Sequence, residues 1–177
     1  MAATILTSGI AALLLIAAWN DIATRLIRNI VPISIAGLAI LLRLHSGLLP
    51  TLYSLIVAQV VFVLLLWLAS RGWLGGGDVK LAAALTLALP PTAVCDFIMA
   101  TTVCGGILAL PYIAMARLQP FALALARAPR VGQHQMADGL LARVTRAEAR
   151  RLRQGGPLPY AVAICAGGII TLFLTVG

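Results

Sequence analysis

Acidic residues are almost missing from this chain. Five occur among 177 residues: Asp21, Asp78, Asp96, Asp138 and Glu148. Charged residues of both signs make up 10% of the sequence, where a soluble domain carries roughly 25%. With 62% hydrophobic residues and a mean hydropathy of +1.04, the chain has more apolar surface than one globular core can bury. That excludes a soluble enzyme or soluble binding module and leaves a polytopic membrane protein.

Cysteine is also sparse. Cys95, Cys104 and Cys165 lie apart in apolar stretches and read as small buried hydrophobes. There is no CxxC motif and no Cys/His cluster, so neither a metal site nor a cofactor is expected. The N-terminal stretch "MAATILTSGIAALLLIAAWND" lacks a basic leading region, so it reads as a first span and not as a cleaved signal peptide. Nothing marks a separate soluble domain, and residues 1–177 are expected to form a single transmembrane domain.

Apolar runs predict an all-α fold with six spans near 3–19, 30–44, 51–69, 79–95, 97–116 and 158–176. Residues 79–116 form one continuous apolar stretch. As one helix it would run about 57 Å, almost twice the hydrocarbon thickness. Pro90–Pro91 and Asp96 mark the expected turn within it.

The net charge of +8 raises the question of nucleic acid, but its distribution points to topology instead. With six spans, Arg25, Arg28, Arg71, Lys80 and the eight arginines of loop 117–157 share one side, and only Arg43 lies on the other. The positive-inside rule makes the crowded side cytoplasmic and puts both termini outside. Its charge suits lipid headgroups, so the bilayer and not a nucleic acid is the expected partner.

Two of the scarce carboxylates now line up. Asp21 closes the first span and Asp78 opens the fourth. Two crossings separate them, so both lie at the cytoplasmic side. A carboxylate in a span costs roughly 2.5–3.5 kcal/mol and usually has a function. Two that share a site cannot both ionise cheaply, so the pair holds one proton near neutral pH. Its ionised member activates water and its protonated member polarises a carbonyl. That is aspartic proteolysis, which needs neither metal nor covalent intermediate.

The stretch "GWLGGGDVKLAAAL" leads into Asp78. Gly75, Gly76 and Gly77 are expected to take unusual backbone angles and to let an extended substrate come close. A plainer reading has both aspartates ending helices at the interface. The matched side and the triple glycine favour the catalytic pair.

At these residues the sequence resembles the type IV prepilin peptidases, the GxGD aspartyl intramembrane proteases. "GGGDVKLAAA" matches the family's GxGD-V-K-L signature. "DIATRLIRN" is similar to its first-aspartate motif, with Arg28 where proline is usual. "GPLPYAVAICAGG" resembles its Pro-Tyr-Gly pattern, with Ala161 in place of glycine. The resemblance runs from about residue 15 to 175. It implies removal of a short, basic leader from a pilin-like precursor at the cytoplasmic face of the inner membrane, with Asp21 and Asp78 as the catalytic pair. This chain lacks the four-Cys region associated with N-methylation, so it looks like the short form found with Tad/Cpa-type (Flp) pili, a peptidase without methylase. The archaeal preflagellin peptidases share fold and dyad and stay open. Presenilin-like proteases do not fit, because Asn20 precedes Asp21 and Pro-Ala-Leu is absent.

Other features are weaker. Lys80 is either an interfacial anchor or a charge that keeps the nearby carboxylate ionised. Asn29 either caps a helix or bonds at the site. The run "GGPLPY" at 155–160, with Pro159 and Tyr160, is expected to bring the last span toward the dyad. Residues 138–153, "DGLLARVTRAEARRLR", read as a surface-lying helix or a solvated loop, and His134 as a loop residue. A rival class is a transporter or pilus-assembly subunit using the aspartates as a proton or cation site. No half-repeat supports a transporter.

Overall fold

The computed structural model describes residues 1–125 and 160–176. Among these there are helices and no strands. The helices are α1 (Ala2–Thr24), α2 (Ile30–His45), α3 (Leu48–Ser70), α4 (Gly76–Ala88), α5 (Val94–Leu125) and α6 (Tyr160–Val176). By contact the chain forms two units, Met1–Gly105 with Pro159–Gly177, and Gly106–Leu158. Both candidate aspartates belong to the first.

Local chemistry sets the helix ends in that unit. Helix α1 stops where Arg25 enters the left-handed region, at φ 56° and ψ 25°, and its N–H bonds the Asp21 carbonyl at 2.9 Å. Helix α2 tolerates Pro32 because a first-turn residue has no intrahelical N–H bond to lose. It ends with Arg43 and His45, whose positive charge suits the negative end of a helix dipole. Gly47 takes φ 115°, a conformation open to glycine, and turns the chain into α3.

Among the described residues, three segments are long and apolar enough to cross a bilayer: Ala2–Thr24, Leu48–Ser70 and Pro91–Pro111. Ile30–His45 and Tyr160–Thr175 are shorter apolar helices. Helix α4 has 13 residues, about 20 Å of helix. The break in the long apolar stretch comes earlier than expected. Leu89 is extended, as a residue before proline prefers, Pro90 follows, and a 3₁₀ turn covers Pro91–Ala93. Asp96 therefore lies in the first turn of α5, not between two helices. Helix α5 continues past 116 to Leu125. The rest of the expected basic loop, with His134, Asp138 and Glu148, and Pro159 after it, lies outside the described residues.

Helix α4 packs against α2, α3 and α6, while α1 packs against α2 and α6. That central position explains its sequence. Val79, Leu81, Ala82 and the run Ala84–Ala88 are buried, because a helix apolar all round belongs inside. Helix α3 is the opposite, with most of its apolar side chains exposed and only Thr51, Ser54 and Ala58 buried. Lipid is as apolar as leucine, so close packing and interhelical hydrogen bonds must hold such helices together. Gly167 and Gly168 of α6 provide the close packing. A Cβ on Gly167 would lie 2.6 Å from the backbone nitrogen of Thr101, and one on Gly168 would overlap Leu85. One polar chain ties three helix ends. Arg43 Nε donates to Ser54 Oγ at 3.1 Å, and Ser54 Oγ donates to the Leu89 carbonyl at 3.1 Å. That carbonyl sits on an extended residue after α4, where the ladder of helical N–H groups has ended.

Candidate active site

The Ser54–Leu89 bond joins the start of α3 to the end of α4. At the other end of the bundle, the close of α1 meets the opening of α4. Here Asp21 and Asp78 lie near enough for each charge to act on the other. Asp21 is buried, 7% exposed, in the last turns of α1. Asp78 is half-buried in the first turn of α4, where the helix dipole favours negative charge.

The glycines before Asp78 work by proximity. Asp78 accepts a hydrogen bond from the Gly75 N–H, as the third helical residue does in a capping box. An ideal Cβ on Gly75 would lie 2.9 Å from Asp78 Oδ2. On Gly77 it would lie 3.2 Å from Ile27 Cβ, so the α1–α2 connection packs against the start of α4. Gly76 faces open space. The unusual backbone angles expected of the triplet are not there. Gly75 is extended at φ −73°, Gly76 and Gly77 are helical, and positive φ falls instead on Gly72 and Arg25.

Lys80 and Asn29 are brought together, on a different face. Lys80 follows Asp78 by two residues, which puts the side chains roughly 200° apart around the helix. Lys80 Nζ donates to Asn29 Oδ1 at 3.0 Å. The cation whose charge reaches Asp78 is Arg25, one turn beyond Asp21. Tyr160 opens α6 and is 43% exposed. Sequence reasoning missed two neighbours. One is Arg25, whose i,i+4 spacing from Asp21 was the available signal. The other is Cys165, buried at 2% exposure on α6, beside Ala18 and within electrostatic range of both aspartates. No local pattern marks Cys165, because its place depends on α1–α6 packing.

The same end carries aromatic residues suited to a membrane–water boundary. Trp67 ends α3 with the Arg71 guanidinium 4.8 Å from its ring centroid, and Trp73 lies exposed in the next connection. The site thus combines two neighbouring carboxylates, a cation and the glycines that precede Asp78.

Over residues 9–110 the chain matches the type IV leader peptidase family, a span that contains both aspartates and the glycine triplet. The chain belongs to that family and is a peptidase. Comparison with curated proteins and with solved structures gives no match.

Proposed function

We infer that this chain is an aspartic intramembrane endopeptidase that removes the leader of a type IV pilin-like precursor. The observation that carries this reading is the closeness of Asp21 and Asp78 beside Gly75. One carboxylate is ionised and takes a proton from a water held between the pair. The water oxygen attacks the scissile carbonyl carbon. The protonated partner hydrogen-bonds the carbonyl oxygen as negative charge builds there. A proton then passes to the leaving nitrogen and the C–N bond breaks, which restores one proton to the pair.

Arg25 acts as an electrostatic neighbour that steadies the ionised carboxylate. Gly75 leaves room for the Asp78 carboxyl. Lys80, turned toward Asn29, plays its part away from the dyad.

In this reading the chain crosses the inner membrane six times, with α4 in the fourth crossing. Both termini lie outside, and the dyad faces the cytoplasm, where a basic leader emerges. The short α4 needs no full crossing of lipid, because α2, α3 and α6 surround it. Co-expression with a candidate prepilin, followed by leader loss on a gel, tests the activity. An intact precursor beside well-inserted enzyme, across several pilin-like candidates, would count against it.

A further inference from the structure

On the other side of α4 from Asp78, helices α2, α3 and α4 enclose a groove of about 420 Å³, within the roughly 300–1,000 Å³ typical of ligand sites. Lys80 and Asn29 stand at its mouth, Gln59 lines one wall, and Ala36, Leu55 and Leu87 lie toward its far end. From Lys80 to Leu87 the groove runs seven residues along α4, about 10 Å. That is a third of the hydrocarbon core, the depth of part of one leaflet.

Its polarity is ordered. Asn29 Oδ1 takes one of the three Lys80 donors and fixes the ammonium at the mouth. Two donors remain for an anion. The Gln59 amide offers a further donor deeper in, and the small side chains of Ala36, Ala83 and Ala84 leave space for a chain.

We propose that this groove is a binding site for one anionic phospholipid. Its phosphate pairs with Lys80 Nζ, an ester carbonyl accepts from the Gln59 amide, and an acyl chain fills the space between Ala36, Leu55 and Leu87. A cation above an amide above an apolar slot matches a phosphate, ester and hydrocarbon in that order. Free phosphate would use only the first of these; phosphatidylcholine carries all three, but its own ammonium offsets the phosphate charge and is repelled by Lys80, which leaves the net anionic lipid favoured. The site is separate from the aspartates and does not depend on their role.

The test uses the full chain purified in neutral detergent. It is offered phosphatidylglycerol and phosphatidylcholine in equal amounts, and retained lipid is read by native mass spectrometry. Wild type should retain phosphatidylglycerol with a roughly fivefold preference, the effect of one lysine beside anionic lipid. Lys80→Gln should abolish the preference, and Lys80→Arg should keep it. Leu55→Trp, which fills the groove from an exposed position on α3, should lower retention of both lipids with Lys80 intact. Arg71→Gln, a cation at the same interface but outside the groove, should leave the preference unchanged. An equal loss in Arg71→Gln would show a general surface-charge effect and overturn the site. So would an undiminished preference in Lys80→Gln, or release of the lipid by inorganic phosphate. Displacement by a pilin-like peptide would assign the groove to substrate instead.

Discussion

Asp78 folds back onto Gly75, accepting its N–H and filling the space where a Cβ would stand, 2.9 Å from Oδ2. Gly75→Ala must therefore move the carboxyl or the backbone. A displacement of about 1 Å at a reacting group costs up to roughly a hundredfold in rate. We expect kcat to fall by about tenfold to a hundredfold while the protein inserts normally. Gly76→Ala meets nothing within 4 Å and takes a helical conformation. It should gain about 0.4–1 kcal/mol of stability and cleave at a near-normal rate. Leader-cleavage assays and thermal unfolding of the two variants separate the cases; equal activities would mean that the Gly75–Asp78 contact does not matter.

Gly167→Ala should destabilise through packing. The added Cβ meets the backbone of Thr101, which cannot swing aside as a side-chain tip would. Overpacking of this kind costs about 1–3 kcal/mol. Gly37→Ala on α2 has open space and should be neutral or stabilising. Melting in a mild detergent compares the two, and an unchanged midpoint for Gly167→Ala would contradict the tight α5–α6 approach.

The order of the helices and the break near Pro90 are legible in the sequence, while the exact helix ends are not, since α4 stops at Ala88 and α5 runs on to Leu125. Pro90–Pro91 announces a break in any apolar run, because proline lacks an N–H and restricts the residue before it. The length of α4 was not legible. Hydropathy stays high through Ala93 and Val94, so the sequence pattern suits a longer helix than the 13 residues seen. Parity, which needs only a count of crossings, predicts one end of the bundle for Asp21 and Asp78, and the structure places them within electrostatic reach of each other. The partners around the pair were not legible. Lys80 is close to Asp78 in sequence yet turns to Asn29, 51 positions away, and Cys165 reaches the site only through α1–α6 packing. The glycine triplet stands out in the sequence, but the unusual backbone angles expected of it are absent. It grants closeness to Asp78 and Ile27 instead.

Ser54→Ala removes the donor to the Leu89 carbonyl and the acceptor of Arg43. An average interhelical bond in a membrane is worth about 0.6 kcal/mol, while an unsatisfied buried group costs about 1–3 kcal/mol. The Leu89 carbonyl sits past the last helical N–H of α4, so the larger range applies. Ser54→Thr keeps the hydroxyl and should retain most of the stability. A loss in Ser54→Ala below about 0.6 kcal/mol by denaturant or thermal unfolding would show that water or lipid replaces the bond.

Asp21→Asn and Asp78→Asn should each lower leader cleavage by roughly a hundredfold to ten-thousandfold, the usual value of a positioned acid or base. Asn keeps the shape and polarity of Asp, so insertion and accumulation should survive. It cannot ionise, so it can neither take a proton from water nor share one with its partner. The double variant should be no worse than the weaker single one, because residues that act as a unit fail together. Asp96 provides the contrast. It is exposed in the first turn of α5, just past the break that closes α4 at the far end of the bundle, and Asp96→Asn should cleave at near-normal rates. Immunoblots of precursor and enzyme in the same membranes read both processing and protein level. Normal processing by either Asp21→Asn or Asp78→Asn at normal level would remove the pair from catalysis, and a proton- or cation-handling role for the two carboxylates would then have to be considered.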